Sequence, residues 1–302
     1  MKAFVFPGQG AQFVGMGKDL YENSALAKEL FEKANDILGY RITDIMFNGT
    51  DEDLRQTKVT QPAVFLHSVI SALCMGDDFK PEMTAGHSLG EFSALVAAGA
   101  LSFEDGLKLV YARAMAMQKA CEAQPSTMAA IIALSDEKVE EICEQVTAEG
   151  EVCVAANYNC PGQIVISGEA ENITKIMEDL KNAGAKRVLK LNVSGPFHSP
   201  MLAQAGEKLK KDLEKVNIKS PHIPYYANYT AELIDKNTST EYIKSILSKQ
   251  VSGSVRFEQS VRKLIESGFD RFIEIGPGDT LTGFVKRIAK DMKVEGLVYE
   301  KI

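Results

Sequence analysis

One short segment restricts the possible folds of this chain more than any other. Residues 86–91 read GHSLGE and lie between an apolar run at 83–85, which predicts a strand, and one at 91–98, which predicts a helix. G-x-S-x-G between strand and helix is typical of a nucleophile elbow, in which glycines permit a tight turn and the serine hydroxyl is presented at the strand's carboxyl end. Ser88 is therefore the predicted nucleophile, and the alternative is an ordinary turn with a capping serine. The N–H of Leu89, at the helix start, is placed to bind an oxyanion.

The spacing of apolar residues elsewhere alternates between strand and helix patterns, which favours an α/β fold with a parallel sheet. The middle of the chain instead has the order βαββαβ, with a turn at 159–162, and this order is typical of a ferredoxin-like unit. We therefore predict a large domain formed by residues 1–124 and 196–302, with a ferredoxin-like subdomain at 125–195 inserted in it. Further strands are predicted at 3–6, 127–134, 152–156, 163–167, 187–193, 272–275 and 296–299, and helices at 25–37, 63–75, 136–146, 171–182, 201–215 and 281–289.

Composition and charge narrow the functional classes. The net charge is −7, and basic residues form no block of the kind that binds nucleic acid. No apolar run approaches the roughly 20 residues that a membrane span needs, and the first residues are typical of a buried strand rather than a signal peptide. The 5 cysteines form neither a CxxC pair nor a Cys/His cluster, so we expect buried free thiols and no metal. We accordingly expect a cytoplasmic protein that binds neither nucleic acid nor a membrane.

A serine nucleophile needs a base, and each of the 4 histidines can be considered. His198 lies in a loop directly after a predicted strand, where active-site loops occur in α/β folds. His67 lies in an apolar helix pattern and fits a hydrogen-bonded core histidine, and His222 lies between two prolines in a predicted surface turn. The side chain of His87, next to the serine, would leave the elbow in another direction. His198 is therefore the predicted base, and a structural loop histidine is the alternative.

One arginine stands in an apolar helix. Arg113 is the only charge between Lys108 and Lys119, so it is predicted to be buried. A buried guanidinium requires an anion, because leaving it unpaired costs several kcal/mol. From these residues alone, an internal Asp or Glu and a substrate carboxylate held by two hydrogen bonds are equally good partners.

Two glycine-flanked turns follow predicted strands. GQGAQ at 8–12 does not continue as a dinucleotide-binding fingerprint, because Phe13 stands where the third glycine belongs. A glutamine between glycines lets the backbone come close and directs an amide donor at a ligand, so Gln9 suits an oxyanion hole. GPG at 276–278 predicts a turn and nothing more.

Several of these motifs together resemble one family, the malonyl-CoA:acyl carrier protein transacylases of bacterial fatty-acid synthesis, and the resemblance runs essentially from end to end. The motifs are FPGQGAQ at 6–12, TQPA at 60–63, GHSLGE at 86–91, YARAMAMQ at 111–118, NYNCPGQ at 157–163, GPFHS at 195–199, QVSGSVRF at 250–257 and EIGPG at 274–278. Jointly they are far more specific than any one of them. The resemblance implies an α/β-hydrolase-like large domain with an inserted ferredoxin-like subdomain, in agreement with the elements predicted above.

The resemblance implies catalytic roles for five positions. Ser88 would be the acylated nucleophile and His198 its base. Gln250 would orient His198 through its backbone carbonyl rather than through a carboxylate. Gln9 and the N–H of Leu89 would form the oxyanion hole.

It also implies the substrates and the residues that bind them. Malonyl-CoA and acyl carrier protein would be the partners of a monomer that needs no cofactor. Arg113 would bind the malonyl carboxylate, and Asn159 would lie near the entrance for coenzyme A or the carrier arm. The chain departs from the family in two places: Ala114 stands where glycine is usual, and the segment from Pro125 is short. Both departures bear on access to the site, and neither removes a catalytic group.

An acidic carrier would have to dock on a local basic patch, against the overall charge. Two clusters are candidates, although a solvated charged face is the commoner meaning of such clusters. They are Lys186, Arg187 and Lys190, and Lys208, Lys210 and Lys211.

Two other functions are compatible with an elbow serine. A serine hydrolase would place its acid and then its histidine late in the chain, whereas more than a hundred residues follow His198. A buried arginine also has no general use in an esterase. A non-catalytic carrier-binding module would have no need of Ser88, His198, Arg113 and Gln9 together.

Overall fold

The computed structural model describes residues 1–148, 150–193 and 195–302, and its strands form two sheets. The strands are β1 (Lys2–Phe6), β2 (Met83–Gly86), β3 (Ser126–Ile132), β4 (Cys153–Cys160), β5 (Gln163–Glu169), β6 (Arg187–Lys190), β7 (Tyr225–Tyr226), β8 (Leu233–Ile234), β9 (Val255–Arg256), β10 (Arg271–Glu274) and β11 (Val298–Lys301).

Helices connect the strands, and serine side chains start four of them. Ser24, Ser102, Ser135 and Ser239 each accept a hydrogen bond from a first-turn N–H that has no partner within its helix. Within the described ranges, none of the helices is long and apolar enough to span a bilayer. The helices are α1 (Lys18–Asn23), α2 (Ala25–Leu38), α3 (Ile42–Asn48), α4 (Asp51–Arg55), α5 (Thr57–Cys74), α6 (Gly90–Ala97), α7 (Phe103–Ala123), α8 (Asp136–Ala148), α9 (Ala170–Asn182), α10 (Ala203–Leu213), α11 (Thr240–Gln250), α12 (Phe257–Glu266) and α13 (Thr280–Asp291).

The larger sheet has the order β11-β10-β1-β2-β7-β8 and is parallel from β11 to β7, with β8 antiparallel at one edge. Parallel strands end at the same edge of a sheet, so the loops after β1, β2 and β10 meet there. Phe6 lies opposite Gly86 in the register of β1 and β2. The loop containing Gln9 therefore lies beside the turn containing Ser88.

Both faces of this sheet are covered, which explains the continuous apolar sequence of β1. Because side chains alternate across a strand, Ala3 and Val5 pack with residues of α12 and α13. Phe4 and Phe6 face the other way and pack with residues of α5 and α6. The elbow thus stands on a strand pair that is fixed from both sides.

The smaller sheet has the order β6-β3-β5-β4-β9, in which the first four strands are antiparallel to their neighbours. Residues of α8 and α9 cover one face and pack against Ile131 and Ile164. Met128 and Val165 point to the opposite face and belong to the core that contains α7. The strand β9 comes from later in the chain and runs parallel to β4.

The predicted α/β class with a parallel sheet is confirmed, and residues 126–190 have the predicted βαββαβ order. The domain boundaries at 125 and 195 stay a prediction. Several element limits differ from the prediction, three of them near the site. Helix α5 begins at Thr57 and carries Pro62 inside it, β6 ends at Lys190, and β4 continues through Cys160, so that the turn is confined to the next two residues. The 5 cysteines are free thiols, but Cys74 is only partly buried.

Candidate active site

The turn between β2 and α6 has the geometry of an elbow. Ser88 has φ 55°, in the left-handed region that is strained for a residue with a side chain. A Cβ added to Gly90 would lie 2.1 Å from the carbonyl oxygen of Phe6, so only glycine permits this approach of helix to strand. Ser88 borders a cavity of about 200 Å³.

Asn228, just after β7, holds the elbow by hydrogen bonds to its backbone. Its Oδ1 accepts from the N–H of Ser88 at 2.6 Å, and its Nδ2 donates to the carbonyl oxygen of Gly86 at 2.6 Å. The residue is 1% exposed, so both hydrogen bonds are shielded from water. Asn228 therefore stabilises the strained conformation of the nucleophile turn.

His198 lies beside the nucleophile. Its Nε2 is 2.8 Å from the Ser88 Oγ, and its Nδ1 is 2.8 Å from the carbonyl oxygen of Gln250 and 3.2 Å from that of Gly253. Because two carbonyl oxygens face Nδ1, that nitrogen carries the proton and Nε2 is left to accept from the serine. Burial, together with the charge of Arg113, lowers the pKa of His198 to about 3. The imidazole is therefore neutral at pH 7 and able to accept a proton.

The other three histidines have different surroundings. His222 is exposed, as predicted. His67 is on α5, where burial lowers its pKa to about 4, but its buried Nδ1 has no hydrogen-bond partner among the described residues, so the expected hydrogen-bonded core histidine was wrong. His87 points away from His198, and its Nε2 lies 2.8 Å from the Oδ1 of Asn159.

Arg113, on α7, is 1% exposed and lies behind the nucleophile. Its Nη1 donates to the Oε1 of Gln61 at 2.6 Å, while Nη2 donates to the Ser88 Oγ at 3.0 Å and to the Oε1 of Gln250 at 2.9 Å. Burial lowers its pKa to about 10, so it stays charged at pH 7. Within the described part of the chain no carboxylate forms an ion pair with it; Glu91 affects it only from a longer distance.

Gln250, at the end of α11, contributes both its backbone and its side chain. The backbone oxygen accepts from His198, which is the contact that the family resemblance implies. Its side-chain Nε2 donates to the Ser88 carbonyl oxygen and to the Oε2 of Glu91, both at 2.8 Å. The amide thus connects Arg113 with the start of α6, a contact that the sequence did not suggest.

Gln9 and Leu89 are the two predicted donors of the oxyanion hole. Gln9 borders the same cavity as Ser88, and its Nε2 donates over 3.4 Å to the Oγ1 of Thr57. Leu89 is fully buried directly before the first residue of α6. The N–H groups of its two following residues are bonded to the carbonyl oxygens of His87 and Ser88, which leaves the N–H of Leu89 as the candidate donor.

The walls of the cavity are mainly apolar. Met117 and Met128 border it on the side of the smaller sheet, and Phe197 and Phe284 border it near the base. Asn159 also borders the cavity, but from strand β4 rather than from the predicted turn. The site is therefore a lined cleft in which the two sheets meet.

The six basic residues considered for docking are all exposed and lie on β6, the turn before it and α10. Lys208 forms an ion pair with Asp212. Their part in docking stays a prediction.

Sequence reasoning missed three residues of the site. Gln61 and Glu91 stand within the TQPA and GHSLGE motifs. Glu91 is the only charged residue in an apolar helix pattern, and this could have identified it as a buried residue of the site, as it did for Arg113. Asn228 follows a two-residue strand and has no motif, so only the tertiary structure reveals it.

Comparison with known proteins agrees with this architecture. The model of the acyl transferase domain family matches residues 3–300. A malonyl CoA-acyl carrier protein transacylase of Bacillus subtilis is 44% identical over 292 residues, which are 96% of this chain and 91% of the relative. One of Staphylococcus aureus is 41% identical over 98% of this chain and 94% of the relative.

Solved structures give the same result. An acyl carrier protein S-malonyltransferase from Vibrio cholerae has a TM-score of 0.93 and 39% identity, covering 100% of this chain and 96% of that one. A malonyl-transacylase solved in complex with a type II PKS acyl-carrier protein has a TM-score of 0.92 and 36% identity, covering 100% and 95%. The chain belongs to the acyl transferase family.

Proposed function

We propose that this chain transfers a malonyl group from malonyl-CoA to the phosphopantetheine thiol of acyl carrier protein, through a malonyl ester on Ser88. The observation that carries the proposal is Arg113, a buried cation that touches the nucleophile and has only neutral hydrogen-bond partners among the described residues. A substrate with a carboxylate would supply the missing anion. The names of the relatives from Bacillus subtilis and Staphylococcus aureus support the same substrate.

Acylation begins with a neutral base. The Nε2 of His198 takes the proton of the Ser88 hydroxyl, and the oxygen attacks the thioester carbonyl carbon. In this proposal the substrate carboxylate replaces the Ser88 hydroxyl as an acceptor for the guanidinium of Arg113, which donates to that hydroxyl in the free protein. When the tetrahedral intermediate collapses, the carbon–sulfur bond breaks and the coenzyme A thiolate takes the proton from His198.

Two N–H donors stabilise the tetrahedral oxyanion in this proposal. The N–H of Leu89 is fixed by the start of α6. The amide of Gln9 reaches the oxyanion after a small turn away from Thr57. Each such donor is worth about 3 kcal/mol of barrier in comparable sites.

The second half-reaction reverses the roles. The carrier thiol enters past Asn159, gives its proton to His198 and attacks the ester carbonyl, and Ser88 leaves with the proton. Because a serine carries the acyl group between two thiols, neither half-reaction requires a cofactor. The proposal further includes a cytoplasmic monomer, with the large domain at 1–124 and 196–302 and the smaller one at 125–195.

Intact mass spectrometry after mixing with malonyl-CoA tests the covalent step. We expect one malonyl adduct on the wild-type chain and none on Ser88→Ala, and the adduct should disappear when carrier protein with its phosphopantetheine arm is added. Rapid release of free malonate without carrier would instead indicate a hydrolase. No reaction at all would indicate a binding module.

Arg113→Ala tests the substrate assignment. Removal of the cation should slow malonyl transfer by about a hundredfold or more, because a buried carboxylate would be left unpaired. Acetyl transfer should change far less, because acetyl has no carboxylate. The exposed Arg55→Ala serves as the matched control. Equal losses for malonyl and acetyl would refute the role of Arg113.

A further inference from the structure

Glu91 is a buried acid that the proposed reaction does not use. It is 1% exposed and lies in the first turn of α6. Its Oε2 accepts from the Nε2 of Gln250 at 2.8 Å and from the backbone N–H of Asn228 at 3.2 Å. Burial raises its pKa to about 7. With or without a proton on the other oxygen, Oε2 remains a hydrogen-bond acceptor.

These contacts fix the orientation of the Gln250 amide. As observed, its NH2 faces two acceptors, Glu91 and the Ser88 carbonyl oxygen, while its Oε1 faces the donor Nη2 of Arg113. The reversed amide would set an oxygen against both acceptors and an NH2 against the guanidinium. All three hydrogen bonds would be lost among side chains that are almost completely buried from solvent.

The orientation of the Gln250 amide determines whether it presents an acceptor or a donor to Arg113. The same Nη2 of Arg113 that donates to Gln250 also donates to the Ser88 Oγ at 3.0 Å. An acceptor at Gln250 holds the guanidinium where it meets both the nucleophile and a substrate carboxylate, whereas a donor there would repel it.

We propose that Glu91 is a positioning residue for Arg113: by accepting from Gln250 it fixes that amide, and the amide holds the guanidinium in its carboxylate-binding position. This inference rests on the proposed function and deepens it. Glu91 touches no reacting atom, so its removal should affect the substrates that depend on Arg113 and leave the others largely unaffected.

Two substitutions separate the acceptor from the charge. Glu91→Gln keeps an oxygen acceptor for both Gln250 and Asn228 and should retain malonyl acylation within about threefold. Glu91→Met has a similar shape and no comparable acceptor, and should slow malonyl acylation of Ser88 by roughly tenfold to a hundredfold, the worth of a hydrogen bond to a charged group. Acetyl acylation by Glu91→Met should stay within about threefold. Glu29→Met, on the exposed side of α2, is the control.

A double-mutant cycle tests whether Glu91 acts through Arg113. In Arg113→Ala, adding Glu91→Met should slow malonyl acylation no further, because the group that it positions is gone. Glu91→Leu gives a second route should Glu91→Met fail to fold. It likewise removes the acceptor for Gln250, and it should cause the same malonyl-selective loss.

Three results would overturn the inference: equal losses of malonyl and acetyl acylation, additive effects in the cycle, or damage from Glu91→Gln as large as from Glu91→Met. The wild-type measurement separates this outcome from a failure of the proposed function. If the unaltered protein forms no malonyl adduct, the function itself is wrong, whatever Glu91 does.

Discussion

Asn228→Ala is expected to weaken both the fold and the nucleophile. The substitution leaves the buried N–H of Ser88 without its acceptor and the carbonyl oxygen of Gly86 without one donor. Unsatisfied buried groups cost about 1–3 kcal/mol each, so the free energy of unfolding should fall by about 2–6 kcal/mol. Ser88 would also lose the bond that offsets its strained backbone, and the rate of malonyl-ester formation should fall with it.

Urea unfolding and a rapid-mixing acylation assay measure the two effects on the same variants. Asn228→Asp keeps an oxygen for the Ser88 N–H but sets a second oxygen against Gly86, so it should also be destabilised. Asn182→Ala, at an exposed position on α9, is the control and should change neither quantity. A loss in Asn228→Ala no larger than that of the control would refute the role of this amide in holding the elbow.

The remaining predictions concern the base, its loop and α13. Because burial lowers the pKa of His198 to about 3, the acylation rate should stay level from pH 8 to about 5, and an acid limb centred near 6.5 would contradict a buried neutral base. A Cβ on Gly195 would lie 1.9 Å from the Sγ of Cys121, so Gly195→Ala should lower the melting temperature and the acylation rate, with partial recovery when Cys121→Ala is added. Glu274 accepts from two N–H groups at the start of α13, so Glu274→Gln should lose about 1–2 kcal/mol of stability in urea unfolding, and an unchanged midpoint would refute this capping role.

Much of the architecture could be predicted because its causes are local. The amphipathic pattern of α2, the apolar strand β1 and the glycines around Ser88 each specify a conformation within a few residues. The βαββαβ order followed from the periodicity together with local cap and turn residues. Helix α5 was placed too late, at residue 63 rather than Thr57. Its first turns contain polar residues and Pro62, which do not continue the apolar pattern but are nevertheless mostly buried.

The individual residues of the site could be predicted from the sequence, but the hydrogen bonds between them could not. The structure brings His198 and Arg113 each within hydrogen-bond distance of the Ser88 hydroxyl. The partner of the guanidinium could not be derived from sequence, because a neutral amide supplied by Gln61 or Gln250 leaves no charge pattern. The role of Asn228 was likewise out of reach, because it depends on a contact between residues 140 positions apart.

The pairing of β9 with β4 restricts how long substrates reach the serine. Residues 253–256 bind the imidazole of His198 through one carbonyl and continue directly into the backbone ladder with the smaller sheet. The Ser254 hydroxyl also donates a hydrogen bond to the carbonyl oxygen of Ala155 on β4. Outward movement of the smaller sheet would break these contacts and displace the base. We therefore expect side-chain rotation at the rim of the cavity, rather than separation of the two sheets, to control the entry of a thioester arm.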